Sequence, residues 1–110
     1  MPLVSICIPT CNGFQFIGEA LLSAVNQSYP NLEIIVSDDH SRDDTLKIIN
    51  EFESKTAIPF HIYNHKPDGI GSNWNYCAQK ANGEYIKFLF QDDTLEPDCI
   101  EKMMQVALKK

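Results

Sequence analysis

The chain has 110 residues, of which 44% are hydrophobic and 22% charged, and its formal net charge is −6. That length allows one small domain spanning residues 1–110, or part of a larger one. The negative charge argues against a nucleic-acid partner, because a protein that binds a polyanion needs a basic face. The apolar runs are too short for a transmembrane helix, and the start lacks the basic and apolar regions of a signal peptide.

The first half of the chain predicts two strand–helix units. Short β-branched apolar runs at Leu3–Pro9 and Leu32–Ser37 are typical of buried strands. Ser41 and Asp44 resemble a capping box at the start of the second helix. The apolar residues at helical spacing are Phe14, Ile17, Leu21, Ala24 and Val25 in the first helix, then Leu46, Ile49 and Phe52 in the second.

The second half predicts two further units. Phe60–Asn64 and Glu84–Phe90 are the predicted strands, and Trp74 lies on the apolar side of the helix between them. That position favours core packing for Trp74 over a stacking role. Pro97 is placed where the last helix begins. The apolar stripe of this helix consists of Ile100, Met103, Met104, Ala107 and Leu108.

The alternation of strands and helices predicts an α/β fold, a Rossmann-like parallel sheet with right-handed crossovers and helices on both faces. In open sheets of this kind, ligands bind outside the carboxyl ends of the strands, where the strand order reverses. If the fourth strand lies beside the first, the order is 3-2-1-4. Thr10–Asn12, Asp38-Asp39 and Asp92-Asp93 then converge on one crevice.

The two acidic pairs are the strongest functional signal. Like charges side by side repel, so each pair needs a metal ion or hydrogen-bond donors to offset the repulsion. Asp38 and Asp39 precede a helix and can accept hydrogen bonds from a nucleobase or from ribose hydroxyls. Asp92 and Asp93 suit Mg²⁺ or Mn²⁺, which take one or two carboxylates and complete their shell with phosphate oxygens and water.

Structural interpretations compete with these functional ones. Asp43 and Asp44, with Ser41, are favoured as a helix cap and first turn. Residues 91–93 can also be a polar turn with Asp93 as a cap.

The glycines and histidines carry weaker signals. Gly69 and Gly71 lack the third glycine of a dinucleotide fingerprint and follow the wrong strand. The three histidines show no metal-ligand spacing. His61 is predicted in a strand, whereas His65 and Lys66 are predicted in a solvent-facing loop unless that loop folds over phosphates.

The four cysteines, Cys7, Cys11, Cys77 and Cys99, form no CxxC pair. They are predicted to be free thiols in a reducing cytoplasm.

Several segments together resemble the amino-terminal half of an inverting family 2 glycosyltransferase with the GT-A fold. They occur in the family's order and spacing, and they are Val4–Asn12, Ala24–Asp39, Ser41, Asp43, Thr45, Asn75, Ala81–Ile86 and Gln91–Asp93. The resemblance implies a nucleoside-diphosphate sugar donor, usually a UDP-sugar, with Mn²⁺ or Mg²⁺ as cofactor. The implied acceptor is a saccharide or glycolipid, and the implied process is polysaccharide or glycoconjugate synthesis with inversion at the anomeric carbon.

The resemblance also implies roles for single residues. Matching the family's motifs, the residues expected to bind the nucleotide sugar are Pro9, Thr10, Asn12, Asp38, Asp39, Asn75 and Asp92. Asp92 and Asp93 are the expected metal ligands. Three positions depart from the family pattern, because Cys11 replaces a frequent aromatic residue, Trp74 a frequent Arg, and Phe90 the first Asp of an Asp-x-Asp motif.

The family's catalytic base lies downstream of the matched half, so no catalytic residue is assigned. We therefore expect a truncated piece that binds nucleotide without transferring sugar. In the full-length protein we expect a cytoplasmic location, at the inner face of the cell membrane if it is peripheral.

Two rival functions stay open. A receiver-type signalling domain needs an acidic pair after the first strand, where Pro9 and Thr10 stand. The second rival is a non-catalytic fragment that self-associates through its last helix or a sheet edge.

Overall fold

The computed structural model describes residues 1–66 and 70–109, without the side chains of residues 70 and 71. The elements in chain order are β1 (Val4–Thr10), α1 (Ile17–Val25), β2 (Leu32–Asp39), α2 (Thr45–Lys55), β3 (Phe60–His65), α3 (Ile70–Lys80), β4 (Tyr85–Phe88) and α4 (Cys99–Ala107). The sheet has the order β3-β2-β1-β4 with parallel pairing, which confirms the predicted topology. Gly69 of the glycine-bearing loop lies outside the described residues.

Helices cover both faces of the sheet, but unevenly. The main core joins the apolar side chains of α1, α2 and α4 to one face of β1 and β2, and α3 covers the other face. On that second face Cys7, Ile35 and Cys77 form a small separate cluster. Every residue of β1 and β2 is buried, which explains why both strands are nearly continuous apolar runs rather than alternating ones.

Element ends differ from the prediction at several places, and β2 continues to Asp39, two residues beyond the predicted Ser37. β4 ends at Phe88, although Leu89 N–H still donates to the carbonyl of Cys7 at 2.9 Å. α1 begins at Ile17 rather than near Phe14, because a turn at Gly13 precedes it and leaves Phe14 exposed. β3 extends to His65, one residue further than predicted.

The predicted capping box at the start of α2 is wrong. Asp44 is the N-cap residue and makes no side-chain cap bond, and the Ser41 hydroxyl donates to Asp38 instead. The carboxylate of Asp43 accepts the Thr45 N–H at 3.0 Å and so satisfies one of the free donors of the first turn. Burial would raise the pKa of Asp43, but the bonds from the Thr45 hydroxyl, Thr45 N–H and Phe14 N–H outweigh it and hold the pKa below its usual range.

The apolar stripe of α4 is only partly buried. Ile100 and Met104 are buried in the core, and Met103 and Ala107 pack against it. Leu108 is 59% exposed, so the predicted apolar stripe is uncovered at its carboxyl end. It is the C-cap residue of α4, and its N–H still donates to the Met104 carbonyl at 2.9 Å. None of the helices in the described part of the chain has the length and apolar character that crossing a membrane requires.

A buried carboxylate fastens the amino ends of the strands. Glu33 on β2 is 3% exposed and accepts hydrogen bonds from the Ser5 hydroxyl at 2.5 Å and from Asn82 N–H at 2.7 Å. Burial alone would raise the pKa of Glu33, but these bonds outweigh it and lower the pKa. The turn after α3 is thereby drawn against β1, and Gly83 N–H donates to the Ser5 hydroxyl at 2.8 Å.

Gly83 is the position where this close approach can be tested. A Cβ atom there would lie 2.7 Å from Ser5 N and 2.8 Å from Leu3 O, both backbone atoms that cannot move aside. We expect Gly83→Ala to lower the free energy of unfolding by about 1–3 kcal/mol. Gly18→Ala is the matched control, since nothing lies within 4 Å of its Cβ and it sits in α1. Its effect should be neutral to stabilising, up to about 1 kcal/mol.

Urea unfolding of both variants measures the two changes. Equal stability of the Gly83→Ala and Gly18→Ala proteins would contradict the packing described at the turn.

Candidate functional site

A cavity of about 510 Å³ opens at the carboxyl edge of the sheet. Its lining consists of Pro9, Thr10, Cys11, Asp39, Asn73, Trp74, Phe90, Gln91 and Asp92. The structure therefore brings together four of the residues singled out from the sequence: Pro9, Thr10, Asp39 and Asp92. The other four, Asn12, Asp38, Asn75 and Asp93, are not among the lining residues.

Asp38 lies beneath the site rather than in it. Its side chain is fully buried and accepts hydrogen bonds from the Thr10 hydroxyl at 2.6 Å, from the Ser41 hydroxyl at 2.6 Å and from Ser41 N–H at 2.8 Å. Because side chains alternate along a strand, Asp39 points the other way and reaches the cavity. The acidic pair thus divides into one carboxylate that holds the loops and one that faces the ligand space.

Asn12 joins the same network from the loop after β1. Its backbone adopts a φ of 50°, a conformation that Asn tolerates better than most residues. Asn12 N–H donates to the Ser41 hydroxyl at 2.8 Å, and its side-chain oxygen accepts Arg42 N–H at 2.7 Å. The loops after β1 and β2 are therefore bonded to each other.

Asn73, which sequence reasoning missed, occupies the place expected for Asn75. It is 4% exposed, and its amide nitrogen donates to the Thr10 carbonyl at 3.2 Å. Asn75 follows two residues later on α3, which turns its side chain by about 200° to the exposed side. Matching the family motif by position along the sequence could not show which asparagine faces the cavity. The helical phase of α3 could, because Asn73 lies four residues before the buried Cys77 and so on the same side of the helix.

His65 also lies at this edge, and the prediction that it is a solvent-facing loop residue is wrong. It is the last residue of β3, and its Nε2 lies 2.8 Å from Asn73 Oδ1 and 3.1 Å from the Ser37 hydroxyl. The extra residue of β3 places the imidazole beside the end of β2, where Asp39 Oδ1 is 3.6 Å from Nδ1. Lys66, the next residue, is exposed as predicted.

One wall of the cavity is aromatic. Trp74 is 41% exposed, so its predicted core packing is wrong, and its ring contacts Phe90 with 4.9 Å between centroids and a tilt of 44°. Phe90 in turn stacks on Phe88 at 6.5 Å. The second face of the sheet has only a small core, which Cys77 fills, and Trp74 lies past it at the sheet edge.

Gln91 fixes the loop after β4 to the loop after β1. Its side-chain amide donates to the Cys11 carbonyl at 3.0 Å and accepts Cys11 N–H at 2.8 Å. The absence of a side chain at Gly13 makes room for it, because a Cβ there would overlap the Gln91 amide. Partial burial and the charges of Asp39 and Asp38 raise the pKa of the Cys11 thiol, which stays neutral at pH 7.

The carboxylates after β4 are both exposed. Asp92 lines the cavity, and Asp93 N–H closes a turn onto the Phe90 carbonyl at 3.0 Å. Asp93 does not cap α4, which begins at Cys99 with Asp98 as its N-cap. Within residues 1–66 and 70–109 no group of three or more His, Cys, Asp or Glu side chains is arranged to hold a metal ion. In that part of the chain, a cation beside Asp92 would therefore need further ligands, such as substrate oxygens or water.

Comparison with known proteins places this chain in a family. Residues 5–110 match the family described as Glycosyl transferase family 2. The chain is 41% identical over 102 residues to the chondroitin synthase of Escherichia coli. This alignment covers 92% of this chain and 15% of the synthase. The chain spans less than half the length of the curated relatives it matches.

Solved structures show the same fold. The S. aureus TarS 1-349 structure in complex with UDP superposes with a TM-score of 0.88 at 26% identity, covering 99% of this chain and 32% of that one. The mannosyltransferase PcManGT from Pyrobaculum calidifontis, in complex with GDP-Man and Mn²⁺, gives a TM-score of 0.79 at 25% identity over 84% of this chain and 28% of that one. The family match over residues 5–110 shows that this chain belongs to glycosyl transferase family 2, and the sheet order and the cavity at the carboxyl edge agree with it.

Proposed function

We propose that this chain is the donor-binding part of a larger glycosyltransferase domain. The observation that carries the proposal is the cavity that brings Asp39 from the end of β2 and Asp92 from the loop after β4 to one space with an aromatic wall. In the whole protein this part would present a nucleoside-diphosphate sugar for inverting transfer to the hydroxyl of a saccharide or glycolipid. The synthesis of polysaccharides or glycoconjugates is the process that such a reaction serves.

The nucleoside half of the donor suits the Thr10–Asp39 side of the cavity. The Asp39 carboxylate can accept a hydrogen bond from a base N–H or from ribose hydroxyls. Trp74 and Phe90 offer ring faces against which a base or the apolar face of a sugar can pack. UDP is the nucleotide we favour, because it is the one bound in the TarS structure.

The diphosphate half needs a cation. Asp39 and Asp92 are both acidic, and the chain carries a net charge of −6, so an anionic ligand would be repelled without one. Asp92 and Asp93 would hold Mn²⁺ or Mg²⁺, with phosphate oxygens and water as the other ligands. When bound, the ion supplies charge neutralisation at the departing diphosphate. The Mn²⁺ in the PcManGT complex supports this assignment.

Transfer itself is assigned to residues outside this chain. The residues that face the cavity bind and orient the donor, and the catalytic base is expected downstream. We therefore propose binding without sugar transfer by these 110 residues. For the whole protein we propose a cytoplasmic location, at the inner face of the membrane if it is peripheral, and the free cysteines support a reducing compartment.

We expect UDP to bind weakly and to require metal. Trp74 is the single tryptophan and lines the cavity, so its fluorescence reports occupancy directly. Removing Mn²⁺ or Mg²⁺ with a chelator should weaken UDP binding at least about tenfold, or about 1.4 kcal/mol. Changing Asp92 and Asp93 together to Asn should abolish this metal dependence.

The matched control for that double variant is Asp98→Asn. Asp98 is the N-cap residue of α4, where its side chain makes no cap bond, and its carboxylate forms an exposed pair with Lys102 at 3.2 Å that contributes little to stability. Its metal dependence should equal that of the unchanged chain. UDP affinity that is the same with and without metal would contradict the roles proposed for Asp92 and Asp93.

We also propose that the chain self-associates through its sheet edge. β4 is an edge strand, and its side chains Ile86 and Phe88 are 41% and 37% exposed. Sedimentation equilibrium should show dimers at high concentration, and Ile86→Lys should shift the population to monomer. Leu22→Lys, at a 52% exposed site on α1, should leave the dimer intact. A monomer at every concentration would refute this proposal.

A further inference from the structure

Each ring nitrogen of His65 faces a hydrogen-bond acceptor. Nδ1 lies 2.9 Å from the backbone carbonyl oxygen of Lys66, and Nε2 lies 2.8 Å from Asn73 Oδ1. A carbonyl oxygen can only accept, so a short contact with a ring nitrogen is favourable only if that nitrogen carries a hydrogen. Both nitrogens carry one only in the imidazolium form.

The orientation of the Asn73 amide decides whether Nε2 truly faces an oxygen. The amide nitrogen lies 3.2 Å from the Thr10 carbonyl oxygen, and the Ser37 hydroxyl donates to Oδ1 at 2.6 Å. Turning the amide over would set Oδ1 against the Thr10 carbonyl and leave two buried acceptors in contact. The amide is thereby held with its oxygen towards His65.

The charges around His65 favour a cation. In the described part of the chain, Asp39 on β2 and the ring of Tyr76 on α3, with its centroid 4.9 Å away, lie beside His65, and the charge of the buried Asp38 also acts on it. Lys80 lies over the Tyr76 ring at 5.3 Å. Burial would lower the pKa of His65, but the bonds to Lys66 and Asn73 and the charges of Asp39 and Asp38 outweigh it and raise the pKa.

We propose that His65 is a positioning residue, held as an imidazolium, that orients Asn73 and offsets the charge of Asp39 so that the cavity can accept an anionic ligand. The ligand part of this inference rests on the proposed function. The protonation state of His65 can be tested without any ligand.

The consequence is a pH dependence with a definite sign. A group whose folded-state pKa is raised contributes stability below its unfolded pKa and loses it as pH rises through the folded value. When His65 loses its proton, one acceptor–acceptor contact appears, at the Lys66 carbonyl or at Asn73. The positive charge 3.6 Å from Asp39 Oδ1 is then lost. Affinity for a nucleoside diphosphate should fall as pH rises through this pKa.

His61 is a matched control on the same strand. It lies four residues before His65, its side chain is 43% exposed, and its Nε2 is 3.6 Å from Glu33 Oε1 at the amino end of the sheet. His61 therefore shares the residue type, the strand and a carboxylate neighbour with His65, but not the cavity.

The first measurement is an NMR titration of the histidine rings, assigned with His61→Gln and His65→Gln. We expect His65 to carry hydrogens on both ring nitrogens at pH 7. A neutral His65 in the folded chain at pH 7 would overturn the proposal. This test uses the unchanged protein, so it holds even if a His65 variant fails to fold.

The second measurement is the affinity for UDP with Mg²⁺, followed by Trp74 fluorescence from pH 6.5 to 9. The unchanged chain and His61→Gln should lose about tenfold in affinity across the range, whereas His65→Gln should bind weakly with a flatter profile. Any titration of the ligand's own phosphate affects all three proteins alike. The same pH profile in His65→Gln and the unchanged chain would overturn the positioning role while leaving the proposed function standing.

Failure of UDP to bind at every pH would contradict the proposed function instead. The ring titration would then decide the protonation state of His65 by itself.

Discussion

The edge of the sheet depends on one buried carboxylate, that of Asp38. A charge removed from water is costly unless hydrogen bonds replace its hydration, and Thr10 and Ser41 provide those bonds. The Ser41 hydroxyl also accepts the N–H of Asn12, so the loop after β1 is bonded to the loop after β2 through a side chain that the Asp38 carboxylate holds in place. With those loops fixed, strand alternation turns Asp39 towards the cavity and leaves Asp38 below it.

The balance of charge at the cavity follows from that arrangement. Asp39 and Asp92 are the two carboxylates lining it, and an anionic donor can approach only if cations compensate them. His65 stands beside Asp39, and a divalent ion at Asp92 and Asp93 is proposed on the other side. The proposed site thus combines one cation from the protein with one expected to arrive with the ligand, and the rings of Trp74 and Phe90 form part of the cavity lining.

The sequence predicted the sheet order and the meeting of Thr10, Asp39 and Asp92, because parallel strands end at a common edge. It did not predict how α3 is turned. An apolar stripe identifies a helix, but the second face of the sheet needs only Cys77, so Trp74 falls beyond the core and Asn73 rather than Asn75 reaches the cavity. His65 was misplaced because the end of a strand is decided by pairing with its neighbour, here Asp39, rather than by local composition.

Amide chemical-shift mapping with UDP and Mg²⁺ tests the central claim most directly. The account predicts shifts at Thr10, Asp39 and Asp92, around the cavity at the carboxyl edge. A second cavity of about 270 Å³ lies between α1 and α2, lined in part by Leu22 and Phe52, and its amides should not respond. Shifts centred on Leu22 and Phe52, with the carboxyl edge unchanged, would contradict the account.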